Sequence, residues 1–257
     1  MNLLVTGGTG ALGRDLVPLL RSSGHQIRVL SRRTPKDPAC IQGDLITGAG
    51  LEEAVAGTEA IIHAASATTQ MTKGQAIDVH GTRRLLTLAR GAGVKHVVLV
   101  SIVGIDGVDY PYYRTKLAAE AVVREDIVPW TIFRATQFHT LAEWFLSVLC
   151  RLPGLAVVPF KWQFQPVDTK DVAQRLSQVI AGGPAGRLPD FGGPQVRGFK
   201  SLARAWLDAR HDKRRLVNLW LPLKGSRQVA AGGLLCPDHR DGTITFEQYL
   251  ASRYPTS

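Results

Sequence analysis

Asn2–Gly13 reads N-L-L-V-T-G-G-T-G-A-L-G, and its order decides how the rest of the chain is read. Asn2–Thr6 is a short apolar run of strand length. Glycines follow at once. Gly7, Gly10 and Gly13 are spaced G-x-x-G-x-x-G, with Thr9, Ala11 and Leu12 between them, and a helical pattern continues to about Ser22. One glycine permits the sharp turn out of the strand, another lets the backbone come close to a ligand, and the last lets helix and sheet pack tightly. The free N–H groups and positive dipole end of such a helix attract a phosphate. The spacing is weak in isolation; between a strand and a helix, inside a βαβ rhythm, it reads as a pyrophosphate-binding turn.

That rhythm continues outward from the turn. Gln26–Leu30 reads as a second strand, Ala39–Gln42 as a short third, Ala60–His63 as a fourth, His96–Val100 as a fifth and Trp130–Phe133 as a sixth. Leu51–Ala56, Gly74–Ala92 and Tyr112–Arg124 carry helical composition between them. Apolar strands without alternation, separated by helices, predict an α/β fold: a Rossmann-type doubly wound parallel sheet with both faces covered. After about residue 135 the pattern loosens. Helices are predicted at Leu141–Arg151, at Asp168–Ala181 with Asp168 or Thr169 as N-cap, at Phe199–Arg215 and at Phe246–Ala251, whereas L-P-G-L-A-V-V-P-F at 152–160 is broken by prolines and a glycine. The expected division is a dinucleotide-binding domain over 1–155 and a small C-terminal substrate lobe over 156–257, integrated with it as a cap.

Composition narrows the class. The 257 residues are 45% apolar with a mean hydropathy near zero, so the chain can bury a core and is not expected to be disordered. Lys and Arg number 31 against 21 Asp and Glu, a net charge of +10 that favours anionic partners without choosing among them. Cys40, Cys150 and Cys236 include no C-x-x-C pair, which argues against a disulfide framework or a zinc site and for a reducing compartment. No metal is expected. No apolar stretch approaches the ~18 residues of a membrane span, and the N-terminus lacks a basic leader. The expectation is therefore a cytoplasmic, soluble protein, monomer or homodimer, with a small-molecule substrate and neither nucleic acid nor membrane as partner. Lys200–Arg227 holds eight Lys and Arg and two Asp. With no stacking aromatics interleaved, it is read as the solvated face of a cap helix rather than a nucleic-acid or acidic-lipid surface.

The ends of the predicted strands hold the remaining site candidates. Ser31-Arg32-Arg33 closes the second strand, where an acid would bind the ribose hydroxyls of NAD and cations suit the 2′-phosphate of NADP; no acid occurs before Asp37. NADP(H) is the expected cofactor, with Arg32 its main contact and Ser31 and Arg33 in support. Asp44, followed by Leu45, is placed either to accept from an adenine amino group or to serve its own turn. Ala64, Ala65 and Ser66 are small enough for a cofactor to lie against them. Tyr112 and Lys116, spaced i, i+4, share a helix face. An ammonium near a phenol favours its ionised form, so the pair can donate a proton to a carbonyl oxygen, and Lys116 can also hold the nicotinamide ribose. Tyr110 and Tyr113 lack a lysine at that spacing. His63 is read as a satisfied buried histidine. Phe138, His139, Trp144, Phe145 and Trp162 are read either as pocket lining or as plain core.

Taken together, T-G-G-T-G-A-L-G, the arginine after strand two, the Gly-Asp after strand three and Y-Y-R-T-K resemble the short-chain dehydrogenase/reductase superfamily, and within it the atypical NmrA-like NAD(P)H-binding branch. The resemblance is specific over residues 1–135 and looser beyond. It implies a Rossmann domain with a small C-terminal lobe, and either an NADPH-dependent reductase of quinones, ketones or imines or a catalytically silent redox sensor. Carried onto this chain, it gives the pyrophosphate to Gly7, Gly10 and Gly13, the 2′-phosphate to Arg32, and the proton-donor role to Tyr112 with Lys116 as partner. Active relatives place a Ser or Thr at the end of strand five. Here Ser101 either fills that role or is a strand-end hydroxyl, Ile102 taking the catalytic position in the second register. The leading expectation is hydride transfer from NADPH to a small carbonyl, quinone or related conjugated substrate. A non-catalytic NADP(H) sensor is the alternative, and a sugar-nucleotide epimerase ranks third because the lobe is small.

Overall fold

Leu3, Leu4 and Val5 are almost wholly buried, so the first strand lies inside a sheet covered on both faces. The computed structural model describes residues 1–33, 37, 39–67, 73–152, 154–219 and 224–255. Its strands are β1 (Asn2–Thr6), β2 (Gln26–Ser31), β3 (Cys40–Gln42), β4 (Ala60–His63), β5 (His96–Ile102), β6 (Trp130–Ala135), β7 (Leu155–Val158), β8 (Gln163–Phe164), β9 (Gly186–Arg187), β10 (Arg197–Gly198) and β11 (Arg215–Asn218). Its α-helices are α1 (Ala11–Ser22), α2 (Leu51–Val55), α3 (Thr82–Gly91), α4 (Pro111–Arg124), α5 (His139–Leu149), α6 (Thr169–Gly182), α7 (Phe199–Ala209), α8 (Ser226–Ala230) and α9 (Phe246–Arg253).

Seven strands form one parallel sheet in the order β3-β2-β1-β4-β5-β6-β9, an α/β Rossmann-like fold. The order reverses between β1 and β4. In such sheets ligands bind beyond the carboxyl ends of the strands at that reversal. The core on one face joins Leu4, Ile61, Val97, Leu99 and Ile132 of the strands to Leu51 and Val55 of α2, Leu85 and Leu86 of α3, and Val123 of α4.

By spatial contact the chain divides into two units. The first comprises Met1–Ser101, Pro111–Arg134 and Val172–Pro189, and the second Ile102–Tyr110, Ala135–Asp171 and Asp190–Ser257. The second unit holds two small sheets, an antiparallel β8–β10 pair and a parallel β7–β11 pair. Trp162 and Phe164 stack at 6.3 Å, and Phe199 packs edge-on against Phe164 at 5.0 Å, giving this unit an aromatic core. A reciprocal capping box between Thr245 and Gln248 starts α9.

Two helices differ from the sequence reading. Gly74–Ala92 is not uniform: Gln75–Gly81 is π-helical and only the rest is α3. The predicted helix Phe199–Arg215 stops at Ala209. His211 takes a left-handed φ of 53°, Asp212 N–H returns to Leu207 O, and Asp212 Oδ1 accepts from Arg214 N–H at 3.0 Å. The backbone then enters β11 at Arg215, so the basic run H-D-K-R-R is a turn and a strand entry rather than a helix face. Part of the apolar run after it, Trp220–Leu223, lies outside the described residues, as does Pro153.

Candidate active site

The glycine turn is built by crowding. Gly7 adopts a φ of 75°, and a Cβ there would lie 2.7 Å from Ala65 N. A Cβ at Gly13 would overlap the Gly8 backbone. Gly10 is less crowded: the one atom near a Cβ there is Gly7 O, at a tight 3.1 Å. Gly10 is the N-cap of α1 with no capping side chain and no acid in the following turn. The first-turn N–H groups have no partner within the helix, and Thr9, Gly10 and Ala11 are exposed. An uncapped helix start behind an exposed glycine turn fits a pyrophosphate. Leu12 and Gly13 are buried and anchor the helix to the sheet.

Neighbouring strand ends converge on the same edge. Ser31 is buried and its Oγ accepts from Arg33 N–H at 3.2 Å, shaping the turn that carries Arg32. Arg32 and Arg33 are exposed and join no ion pair among the described residues. The nearby acid Asp37 is taken by Arg21 at 2.8 Å and by Ala39 N–H, which together hold its carboxyl below the usual range. Asp44 Oδ1 accepts from Ile46 N–H at 2.6 Å, so one carboxylate oxygen serves its own turn; Leu45 is buried. Ala64 and Ala65 form the wall against Gly7.

Tyr112 and Lys116 both point inward from α4 and are nearly buried. Tyr112 Oη lies 2.8 Å from Ser66 Oγ. Ser66 donates to Asp78 Oδ1 at 2.6 Å, Ala67 N–H donates to Asp78 Oδ2 at 3.1 Å, and Lys116 Nζ stands 3.7 Å from Oδ1. Lys116 also donates to Val100 O at 2.9 Å. The tyrosine and lysine are thus linked through a serine and a buried carboxylate. With the Ser66 proton committed to Asp78, the phenol O–H donates to Ser66. Sequence reasoning placed Ser66 beside the cofactor and passed over Asp78. The signal was an acid between Ile77 and Val79, a buried face of a segment that then proves π-helical.

Beneath this chain runs a second. Thr82 donates to Asp78 O at 2.6 Å, so His63 Nε2–H donates to Thr82 and His63 Nδ1 accepts from Thr6. Thr6 Oγ1 in turn accepts from Ala65 N–H at 3.3 Å. Burial, with a contribution from Lys116, pushes the His63 pKa down to about 3. It is a neutral, fully bonded histidine that ties β1, β4 and α3 together.

Ser101 is 3% exposed on β5, and its Oγ has no hydrogen-bond partner among the described residues. It falls short of hydrogen-bond geometry to Glu120 but helps steady that carboxylate, which lies one turn beyond Lys116. Arg134 grips Glu120 through both oxygens at 2.7 Å, and Arg124 adds a third contact; these partners outweigh burial and hold the Glu120 pKa low. In the second unit, His139 is buried against Phe246 and Tyr249, and Trp162 donates to Ser226 at 2.9 Å. Trp144 is 48% exposed.

A parallel sheet with a glycine turn at its reversal point, and a tyrosine–lysine pair linked through Ser66 and Asp78, is the architecture of dinucleotide-binding α/β proteins. The chain belongs to the NAD(P)H-binding family, whose pattern matches residues 7–143. The photosystem II assembly factor Ycf39 of Trieres chinensis is 29% identical over 185 residues, 68% of this chain and 58% of that protein. The (4-alkanoyl-5-oxo-2,5-dihydrofuran-3-yl)methyl phosphate reductase of Streptomyces griseus is 28% identical over 209 residues, 76% of this chain and 68% of that one. Among solved structures, an NADPH-dependent quinone oxidoreductase of Escherichia coli complexed with NADPH superposes with a TM-score of 0.78 at 18% identity, covering 98% of this chain and 99% of that one. That likeness is one of fold.

Proposed function

We propose that the chain is an NADPH-dependent reductase of a small carbonyl, quinone or related conjugated substrate, with Tyr112 as proton donor. The observation that carries this reading is the buried Tyr112–Ser66–Asp78–Lys116 chain on the strand-end edge that also bears the glycine turn. Gly7, Gly10 and Gly13 would hold the pyrophosphate and Arg32 the 2′-phosphate, with Ala64 and Ala65 as wall and Lys116 within the same polar group. A reduced nicotinamide, when bound, supplies hydride to the substrate carbon. Tyr112 supplies the matching proton to the oxygen. As the phenol loses it, Ser66 can turn its O–H from Asp78 to the phenolate, while Asp78 keeps Ala67 N–H and Lys116. Asp78 offsets the Lys116 charge in a space too buried for water to do so.

Support from similarity is divided: one relative is named a reductase and another an assembly factor. The second reading, a non-catalytic NADP(H)-binding sensor, draws on the latter. Purified chain incubated with NADPH and a panel of quinones, ketones, aldehydes and imines separates the two. Oxidation of NADPH by a panel member is the expected result. Tight NADPH binding with no oxidation by any of them hands the site to the sensor, and absence of binding to either dinucleotide defeats both.

A further inference from the structure

We propose that the outward face of the β7–β11 ribbon docks on an anionic lipid bilayer. Within the ribbon, Leu155 pairs with Arg215 and Val157 with Val217, so these four side chains share one face by strand alternation. The opposite face carries Ala156 and Val158, both fully buried. The outward face is open: Leu155 is 41% and Val217 36% exposed, and Leu152, just before β7, is 56% exposed. These three, with Trp144 on α5, are most of the exposed large apolar residues among the described ones. Helix α5 packs against β7 and leaves Leu141, Phe145 and Val148 only half-buried as well. Apolar exposure along one strand face, as at Leu155 and Val217, marks an interaction surface.

Charge selects the occupant. No acidic residue occurs from Trp144 to Val167 or from Lys213 to Cys236, the two stretches that supply the ribbon, while Arg151, Lys161, Lys213, Arg214, Arg215, Lys224 and Arg227 all fall within them. Arg214 is spent internally, held by Asp212 and donating to Cys150 O. Arg151, Lys213 and Arg215 are exposed and join no ion pair among the described residues. Exposed apolar side chains with Arg215 on their face and unpaired Arg151 and Lys213 next to them in the chain, and no carboxylate in either stretch, match a bilayer with anionic headgroups: the aliphatic tips enter the interface and the cations meet phosphates. With Asp212 engaged by Arg214, the unpaired cations Arg151, Lys213 and Arg215 are poorly matched to a second copy of the same face. The inference stands apart from the reductase reading, since none of these residues belongs to the nucleotide site.

The test is co-sedimentation of the full chain with vesicles of phosphatidylcholine alone and of phosphatidylcholine with phosphatidylglycerol, at low and high salt. Binding is expected only to the anionic vesicles and is lost at high salt. The triple variant Arg151→Gln, Lys213→Gln, Arg215→Gln should bind roughly hundredfold more weakly, on the order of fivefold per cation. Leu155→Ser with Val217→Ser should weaken it about tenfold. Unchanged circular-dichroism melting confirms that each variant is folded, and NADPH binding should be the same in all. Failure to sediment with either vesicle, or binding indifferent to these substitutions, overturns the proposal. So does a dimer in sedimentation velocity that Leu155→Ser dissolves, because the face then belongs to another copy of the chain.

Discussion

The carboxyl edge of the large sheet and the β7–β11 ribbon are both parallel β-structure, and they handle polarity in opposite ways. At the sheet edge, polar groups are inside and matched: Thr6, His63, Thr82, Asp78, Ser66, Tyr112 and Lys116 form one bonded set. On the ribbon, apolar groups are outside, and Arg151, Lys213 and Arg215 near them join no ion pair among the described residues. A buried polar set is stabilising only when every member is satisfied, so it holds one geometry and suits chemistry. An exposed apolar–cationic face tolerates side-chain motion and suits adhesion. The same contrast should govern how the two regions respond to substitution.

The largest effect belongs to Tyr112→Phe, which removes the proposed proton donor and leaves the ring in place. A fall in kcat of about 10²–10⁴-fold is expected, with NADPH affinity held within about twofold by calorimetry. An unchanged kcat takes Tyr112 out of the chemistry. Asp78→Ala leaves Lys116 buried without its counter-charge, and urea denaturation should register a loss of about 3–5 kcal/mol. A loss below about 1 kcal/mol would mean that the set is not coupled as drawn.

Acidification strains the same region. Burial, with Lys116, holds His63 down to about 3, and burial holds His96 down to about 4, whereas both titrate near 6.5 once unfolded. The unfolded chain takes up protons that the folded chain refuses. Stability is therefore full above about pH 6.5 and declines below it, by ~4 kcal/mol from the two together at about pH 5. The urea midpoint should drop accordingly, and His63→Gln should flatten part of the slope. Arg32→Glu should weaken NADPH about hundredfold and NADH less than about threefold; equal losses would remove the 2′-phosphate from its role. Smallest of all, Val217→Thr on the ribbon should change stability by no more than about 0.5 kcal/mol.

What was readable from sequence follows the same divide. N-L-L-V-T, A-I-I-H and H-V-V-L-V announce themselves because strands buried on both faces need unbroken apolar runs, and the structure begins each strand where its run begins. The glycine turn is equally legible, since its close approaches admit only that residue. Asp78 was hidden because its partners, Ser66 and Lys116, lie 12 and 38 positions away and meet it only in the fold. The helix predicted through Arg215 ran too long because K-R-R suits a helix surface locally, while the left-handed His211 and the Asp212 turn are tertiary choices.

The π-helical stretch Gln75–Gly81 has a consequence for chain length. Its i→i+5 ladder accommodates one residue more than the α-helix into which it flows. Deleting a single residue ahead of Asp78 would let the ladder re-register as ordinary α-helix and swing the carboxylate about 100° around the axis. Lys116 and Ser66 would lose their common acceptor although no side chain that touches them had been changed. At this point the molecule is more sensitive to spacing than to side-chain identity.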